Sequence, residues 1–597
     1  MIFILRIVKL KGNKIMFFSK STLCAVLSGL VFSTLTLNAA GKAQNTMPTY
    51  DLTVTVPCAS EAEAANARLD FLELPPGKSV AFSCRWDDNN IANLRMKKLM
   101  QKYGYKGTFY LLKIKPHFQE NVFPELYKDG FTIGNHTLNH PSLSLLTPNG
   151  IFYEMLEMRM ILETLSGQTV NAFIFPNGNA SNLFYTDAAQ VIASCLRRTG
   201  MLGGPDNATA MLNKMPGNEF FSPEGRIIYP GDRNTSAEKF DAHVKRSLPA
   251  AGKTAHMTLG IHVWHSDKDF AELEKAMKKH SARPDWWYCN ENEFLSYTYM
   301  YRYAKVTGKK VVGKNAVFTV KMPRPEYLGS EVALWAKCAN KNIELKHTRS
   351  TPVKIVTAAK DGKVAEFPGV TAKIFFTAPD RIRLEVVNNS AALEDVGLIL
   401  RLPPDFAEET LYVYAGRIAG KYQQEWQLTP KTAWQSSGMQ IAAAQLDFKR
   451  NGESARIWVK HCREIKSTVK PAAEVFCSKN KITVPELEKL SMPDAKIDPA
   501  HFYPTGHQCN FRETMFMVNP RAVSKETQTV VMEFEGGKPM LLQGDLPKVV
   551  YCNGKQLKVT KRTLKFDAPA GKCRIVFQHL NQRRPLRNIQ LILTAAK

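Results

Sequence analysis

Ser79-Val-Ala-Phe-Ser83-Cys84-Arg85-Trp86-Asp87-Asp88, running on into Asn89-Asn90, is the stretch from which the rest of this chain is best read. Its first half is short, largely apolar and launched from Pro75-Pro-Gly77, the pattern of a buried β-strand. Its end carries two adjacent carboxylates, and like charges side by side raise one another's pKa. A strand that delivers Asp-Asp to its C-terminal end is a candidate for metal or acid–base chemistry. Taken alone, the same residues also read as a solvated Asp-Asp-Asn-Asn turn.

Around this stretch, from about Gly77 to Tyr303, short apolar strands alternate with longer amphipathic helices, which argues for an α/β unit with parallel strands. Helices are expected over Ile91–Tyr103, Pro124–Asp129, Ile151–Leu165, Asp187–Arg198, Phe240–Ala250, Asp269–His280 and Glu291–Tyr301. Strands are expected over Gly107–Leu112, Phe131–Gly134, Val170–Phe175 and His256–Trp264. After Tyr303 the texture changes to short segments of period-two alternation broken by Gly, Pro or Asn, the signature of antiparallel sandwich modules. The polar stretch Val484–Tyr503, with Pro485, Pro493 and Pro499, reads as a linker before a last strand-rich segment.

A length of 597 residues suggests about three domains, at roughly 100–200 residues each. The expected boundaries are a signal peptide over 1–43, a lead-in over 44–76, the α/β unit over 77–305, a β-rich domain over 306–483, a linker over 484–504 and a C-terminal β-rich domain over 505–597. The signal reading rests on Arg6, Lys9, Lys11 and Lys14, then the apolar run Leu23–Leu37, then the Ala-x-Ala-like Gly41-Lys-Ala43. Met16 is an alternative start, and an uncleaved anchor is the competing reading. The expected location is therefore secreted or periplasmic, with no membrane span after signal cleavage, because no later run has the roughly 18 apolar residues a helix needs to cross. The 11 cysteines show no close-spaced framework and no C-x-x-C pair. The net charge of +26 suits an anionic glycan or cell-envelope polymer better than nucleic acid, for which no binding motif is present. A generally basic composition without a specific partner is the plain alternative.

The Asp-Asp pair has a potential counterpart in Gly134-Asn-His136-Thr-Leu-Asn-His140-Pro141, which also follows a strand. If residues 136–140 open a helical turn, a spacing of four places both imidazoles on one face. Two imidazoles and one carboxylate hold a zinc-like ion while leaving a position open for water. Active sites of parallel barrels collect at the C-terminal ends of their strands, where both motifs are expected.

At these residues the chain resembles the NodB-type polysaccharide deacetylases, carbohydrate esterase family 4. Trp86-Asp87-Asp88 matches the family's first motif and His136-Thr137-Leu138-Asn139-His140 its second. Ile174-Phe-Pro176-Asn-Gly178 keeps the Pro and Gly of the third motif but not its Arg, and Leu259-Gly-Ile-His262 is the best match to the last. The resemblance covers roughly residues 77–303 and implies a distorted (β/α) barrel, here followed by C-terminal antiparallel β-sandwich-like domains. It implies that Asp88, His136 and His140 hold a divalent metal, zinc first, with Co2+, Ni2+ or Mn2+ as alternatives. Asp87 would be the general base toward water, and His262 the general acid toward the leaving group. Pro176 and Gly178 would lie along the substrate, an acetylated glycan or cell-envelope polysaccharide; Trp264, like Trp86, reads either as a substrate platform or as packing.

Two departures matter. With Ile174 in the third motif, the base lacks the arginine its relatives use; Arg85, two residues before Asp87 and on the same strand face, is a candidate replacement. His265 competes with His262 as the acid, since Trp264-His265-Ser266 can equally end the strand. Asp285-Trp-Trp-Tyr288 reads either as an aromatic wall for a sugar ring or as barrel-closing core. The missing arginine also leaves open a catalytically weak or inactive glycan-binding protein on the same barrel.

Overall fold

The computed structural model describes residues 48–597 except 142, 144–145, 177–185, 214–225, 230–235, 264, 353, 358–366, 368, 432–437, 466–472, 479–481, 499–501, 505–507, 510–515, 519–528, 545, 547–548, 560–562, 579–590 and 596–597. The signal segment, Gly178 and Trp264 lie outside these residues. Among the described residues, no helix is long and apolar enough to cross a membrane.

Two strands precede the barrel, β1 (Thr49–Pro57) and β2 (Asp70–Phe71). The barrel itself is built on β3 (Val80–Asp87), β4 (Gly107–Leu111), β5 (Thr132–Asn135), β6 (Arg226–Tyr229), β7 (Ala255–Leu259) and β8 (Trp286–Tyr288). These pair in parallel in the order β5-β4-β3-β7-β6, with β8 also against β3. Parallel bridges Asn135↔Phe173 and Ala172↔Gly203 carry the sheet further round. The interleaved helices include α1 (Asn93–Lys102), α2 (Pro148–Ser166), α3 (Thr186–Thr199), α4 (Ala237–Ser247), α5 (Asp267–His280) and α6 (Glu291–Tyr303). The architecture is the expected distorted α/β barrel followed by β-rich domains.

Strand β3 organises this unit, and its alternation shows how. Val80, Phe82, Cys84 and Trp86 point into the core formed with the surrounding helices. Ser83, Arg85 and Asp87 occupy the opposite face and are buried. A strand buried on both faces is normally apolar, so these three polar side chains must find partners inside the barrel. Ser83 does so in a closed cluster. Its hydroxyl donates to Glu291 and meets His256 Nε2 at 2.9 Å and the Thr258 hydroxyl at 3.2 Å. Burial pushes Glu291 up to about 7 and His256 down to about 3, so both sit as poorly charged groups in an interior that disfavours charge.

The expected Val170–Phe175 strand contributes only the bridges at Ala172 and Phe173. The expected His256–Trp264 strand stops at Leu259, because the chain turns at Gly260. There φ is +98°, and a Cβ would lie 2.6 Å from the Arg85 carbonyl oxygen. The aromatic wall proves to be core: Trp286 of β8 pairs with Val80, at the opposite end of β3 from Asp87, and stacks on Phe82 at 4.9 Å.

The β-rich region begins with β9 (Lys305–Val312) and β10 (Asn315–Pro323). Strand β1 pairs along its whole length with β10, and β2 with Leu334–Cys338, so the segment expected as a lead-in is woven into the strands that follow the barrel. A sandwich follows. Its five-stranded sheet is ordered Lys354–Thr357, Glu453–Ile465, Gly438–Arg450, Leu393–Arg401, Thr410–Ile418. Its three-stranded sheet holds Val370–Ala378, Arg381–Asn388 and Lys421–Gln427, and the two sheets enclose one apolar core. In the last β-unit, Ala473–Ser478 pairs with Thr529–Glu535, so pairing there starts upstream of the expected linker. Within that linker Val484–Leu490 forms a helix, capped by a Thr483–Glu486 box, and buries Leu487 against Val531, Tyr551 and Val576.

Barrel and sandwich meet through buried charge. Glu163 of α2 accepts from Arg159 Nε (2.8 Å), Val170 N (2.9 Å), Arg456 Nη1 (2.9 Å) and Trp458 Nε1 (2.8 Å). Arg198 of α3 donates to the carbonyls of Leu402, Pro403, Phe406 and Glu408. The Arg456–Glu163 pair has no solvent exposure on either side chain. Exposed pairs such as Arg95–Asp267 contribute at most about 1 kcal/mol, whereas losing one partner of a buried pair costs about 3–5 kcal/mol.

Candidate active site

The site forms where β3, β5 and the turn after β7 end. Register places Asp87 beside Tyr110 on β4 and, by a parallel bridge, beside His262; Asp87 N donates to the Ile261 carbonyl at 2.6 Å. Asp88 leaves the strand at φ +72°, a conformation uncommon for any residue but glycine. Its amide donates to Tyr110 O, and Asn93 Nδ2 holds its carbonyl at 3.1 Å. This reversal turns the Asp88 carboxylate away from the barrel interior, where Asp87 stays.

The second motif is a loop. Thr137 and His140 take φ of +67° and +56°, so no helical turn forms over 136–140, and the imidazoles converge through loop geometry instead. His136 Nε2 lies 3.6 Å and His140 Nε2 3.5 Å from Asp88 Oδ1, and one ligand atom from each residue falls within 4.8 Å of the others. His136 Nδ1 donates to the Ile174 carbonyl at 2.9 Å, which leaves the Nε2 lone pair facing Asp88 and His140. Burial, then the neighbouring His140, lowers the His136 pKa to about 3, so the ring is neutral, as a metal ligand must be. Two imidazoles and a carboxylate converging on one point fit a divalent ion of the zinc type. Asp88 and His140 keep 26% and 29% of their side chains exposed, leaving an approach from solvent.

Arg85 Nη2 donates to Asp87 Oδ2 at 2.6 Å, both side chains only 4% exposed. Arg85 Nη1 donates to the Pro205 carbonyl. Ile174, which stands where relatives of the resembled family carry arginine, is fully buried and contributes its carbonyl to His136. His262 Nε2 stands 3.7 Å from Asp88 Oδ2 with 21% of its side chain exposed. The His265 ring instead packs between Trp86 and Phe270, at centroid distances of 5.9 and 5.5 Å. Of the two histidines, the structure brings His262 to the acids. Pro176 is buried.

Two residues here escaped sequence reading. Asp206 is buried and accepts from Thr209 N (2.7 Å) and Phe175 N (3.3 Å), and burial raises its pKa against the pull of Arg85. Its place before the short helix Asn207–Asn213, with a backbone bond three residues on, is a local N-cap signal; its nearness to Arg85 has none. Glu154 of α2 grips Asn139 by both backbone N and Nδ2, each at 2.7 Å. No local pattern marks it.

Residues 84–194 match the family model described as polysaccharide deacetylase, a range holding Asp87, Asp88, His136, His140 and Pro176. The resemblance read from those motifs is thereby borne out for the barrel. The uncharacterized protein YlxY of Bacillus subtilis (strain 168) is 31% identical over 85 residues, 14% of this chain and 27% of that relative's length. Among solved structures, peptidoglycan deacetylase PdaC from Bacillus subtilis is similar at 17% identity and a TM-score of 0.25, over 37% of this chain and 92% of that one. A family 4 acetyl xylan esterase from Clostridium thermocellum, in complex with a cobalt ion, is similar at 12% identity and a TM-score of 0.25, over 36% and 89%.

Proposed function

Taking the barrel as a polysaccharide deacetylase domain, we propose that the chain is an exported, metal-dependent hydrolase that removes N- or O-linked acetyl groups from a cell-envelope or other polysaccharide. The observation that carries this reading is the convergence of Asp88, His136 and His140 beside the Arg85–Asp87 pair and His262.

Asp88, His136 and His140 hold the ion, which when bound supplies Lewis acidity and eases the ionisation of water. Asp87 accepts the proton of the water that attacks the acetyl carbonyl carbon. Arg85 keeps that carboxylate oriented and balances its charge inside the barrel, the part left vacant by Ile174. His262 delivers a proton to the departing sugar nitrogen or oxygen as the bond to the acetyl carbon breaks. Water and acetylated sugar are consumed, and acetate and free amine or hydroxyl are released. A charge partner for Asp87 supports catalysis over the inactive glycan-binding alternative, which the motif-three departure left open.

The test combines metal analysis of the purified chain with acetate release from acetylated xylan, chitin oligomers and peptidoglycan. Activity abolished by a chelator, and by Asp87→Asn with metal still bound, is the expected result. A wild-type chain that binds no divalent metal would overturn the mechanism.

A further inference from the structure

Helix α2 touches the metal-binding loop with one face and the sandwich with another. Toward the loop, Glu154 accepts both donors of Asn139, and the Met155 carbonyl accepts Asn135 Nδ2 at 2.8 Å. Asn135 Oδ1 in turn accepts Thr137 N at 2.8 Å. Residues 135, 137 and 139, which flank and separate the two histidines, are therefore pinned directly or at one remove to a single helical turn. Their loop needs this. The positive φ values of Thr137 and His140 persist only where surroundings over-determine them.

Toward the sandwich, the same helix accepts Lys460 Nζ at Glu157 (2.5 Å) and both Arg456 and Trp458 at Glu163. Thr164 meets the Thr357 hydroxyl at 2.6 Å, and Asn149 donates to Asp405 at 2.9 Å. Between these ties, Ile151, Phe152 and Met155 share one core with Ile355, Ile441 and Trp458 of the sandwich. The helix is thus held by barrel and sandwich together, and close packing transmits displacement between such faces rather than absorbing it.

We propose that the sandwich is a working part of the metal site: through α2 it sets the position of the His136–His140 loop, with Glu154 as the positioning residue. This rests on the metal reading above. The test uses the full chain and two equilibrium measurements, zinc affinity by competition with a chromophoric chelator and thermal melting of the metal-free protein. Glu154→Gln leaves one oxygen but turns an amide against the second Asn139 donor. It should weaken zinc binding by about 10–100-fold, the usual cost of losing an outer support, with little change in melting. Trp458→Phe removes the indole N–H that reaches Glu163 together with part of a fully buried ring, and should weaken zinc binding by about 2–30-fold although it lies in the sandwich. Tight wild-type binding with unchanged affinity in either variant, even if melting falls, overturns the inference and leaves the metal reading standing. A wild-type chain that binds no zinc sinks both.

Discussion

Glu163 offers a sharp test of whether the barrel–sandwich junction is ionic in the folded state. Burial alone would raise its pKa, but Arg159 and Arg456 outweigh burial and hold it down at about 2, against an ordinary 4.5. At 1.36 kcal/mol per tenfold change in proton affinity, that difference stabilises the fold by about 3 kcal/mol. Because the folded value is the lower one, the stabilisation is complete above pH 4.5 and is lost as pH falls through about 2. Glu163→Gln should therefore cost about 3–5 kcal/mol at neutral pH, since it also removes the carboxylate paired with the buried Arg159, while Arg456 keeps Asp447 at 2.7 Å. The cost should shrink on acidification, with more than half of the pH-dependent part gone near pH 3. Urea unfolding of wild type and variant, followed by circular dichroism from pH 7 to pH 3, measures the gap directly; the difference between the two proteins cancels other titrating groups. A gap of constant size across that range would mean that Glu163 binds its proton equally well in the folded and unfolded chain, and the electrostatic account of the junction would fail.

Three further outcomes follow from the geometry. His262→Gln should slow release of sugar amines by about 100–10,000-fold yet leave hydrolysis of 4-nitrophenyl acetate far less affected, because a phenolate departs without protonation; equal losses on both substrates would exclude the acid role. Glu291, raised to about 7 by burial, should lower stability as pH rises toward and through that value, because its folded form prefers the proton. Glu291→Gln should then match wild type near pH 5 and exceed it by up to about 3 kcal/mol near pH 9 in urea unfolding. Gly260→Ala should cost about 2 kcal/mol or more and reduce acetate release, since the methyl group would collide with the Arg85 carbonyl at a positive φ next to the Asp87–His262 bridge.

The barrel was legible because its signals are local. A buried strand ending in Asp87-Asp88, a His-x-x-x-His after another strand, and the 3.6-residue periodicity of α2 can each be read without knowing what packs where. Arg85 was legible for the same reason, since alternation alone places it on the face of Asp87. What stayed hidden depends on tertiary contact. The identical spacing of His136 and His140 suits a helix or a loop, and the loop is held by tertiary contacts with α2, to Glu154 and to the Met155 carbonyl. His262 and His265 are three residues apart in one apolar segment, and the choice between them follows from Trp86 and Phe270 covering the second ring. Prolines around residue 490 suggested a linker, whereas Thr483-x-x-Glu486 with Pro485 in the first turn is a helix start that those prolines masked. Leu52, Val54 and Val56 show clean period-two alternation, but nothing in them names β10 as partner.

That last pairing has a consequence for how the chain comes to be folded. Thr53 lies opposite Thr319, with the entire barrel between them in sequence. As a ribosome delivers the chain from its N-terminus, β1 emerges early and must wait, its apolar face uncovered, until the barrel has been synthesised and β10 follows. Long-range strand pairing of this kind is slow and exposes unpaired edges to other chains. The barrel is thus best regarded as an insert between the two halves of a clasp. A chain truncated just before β10 should yield a barrel with an orphaned, association-prone first strand, while one that runs through Pro323 should not.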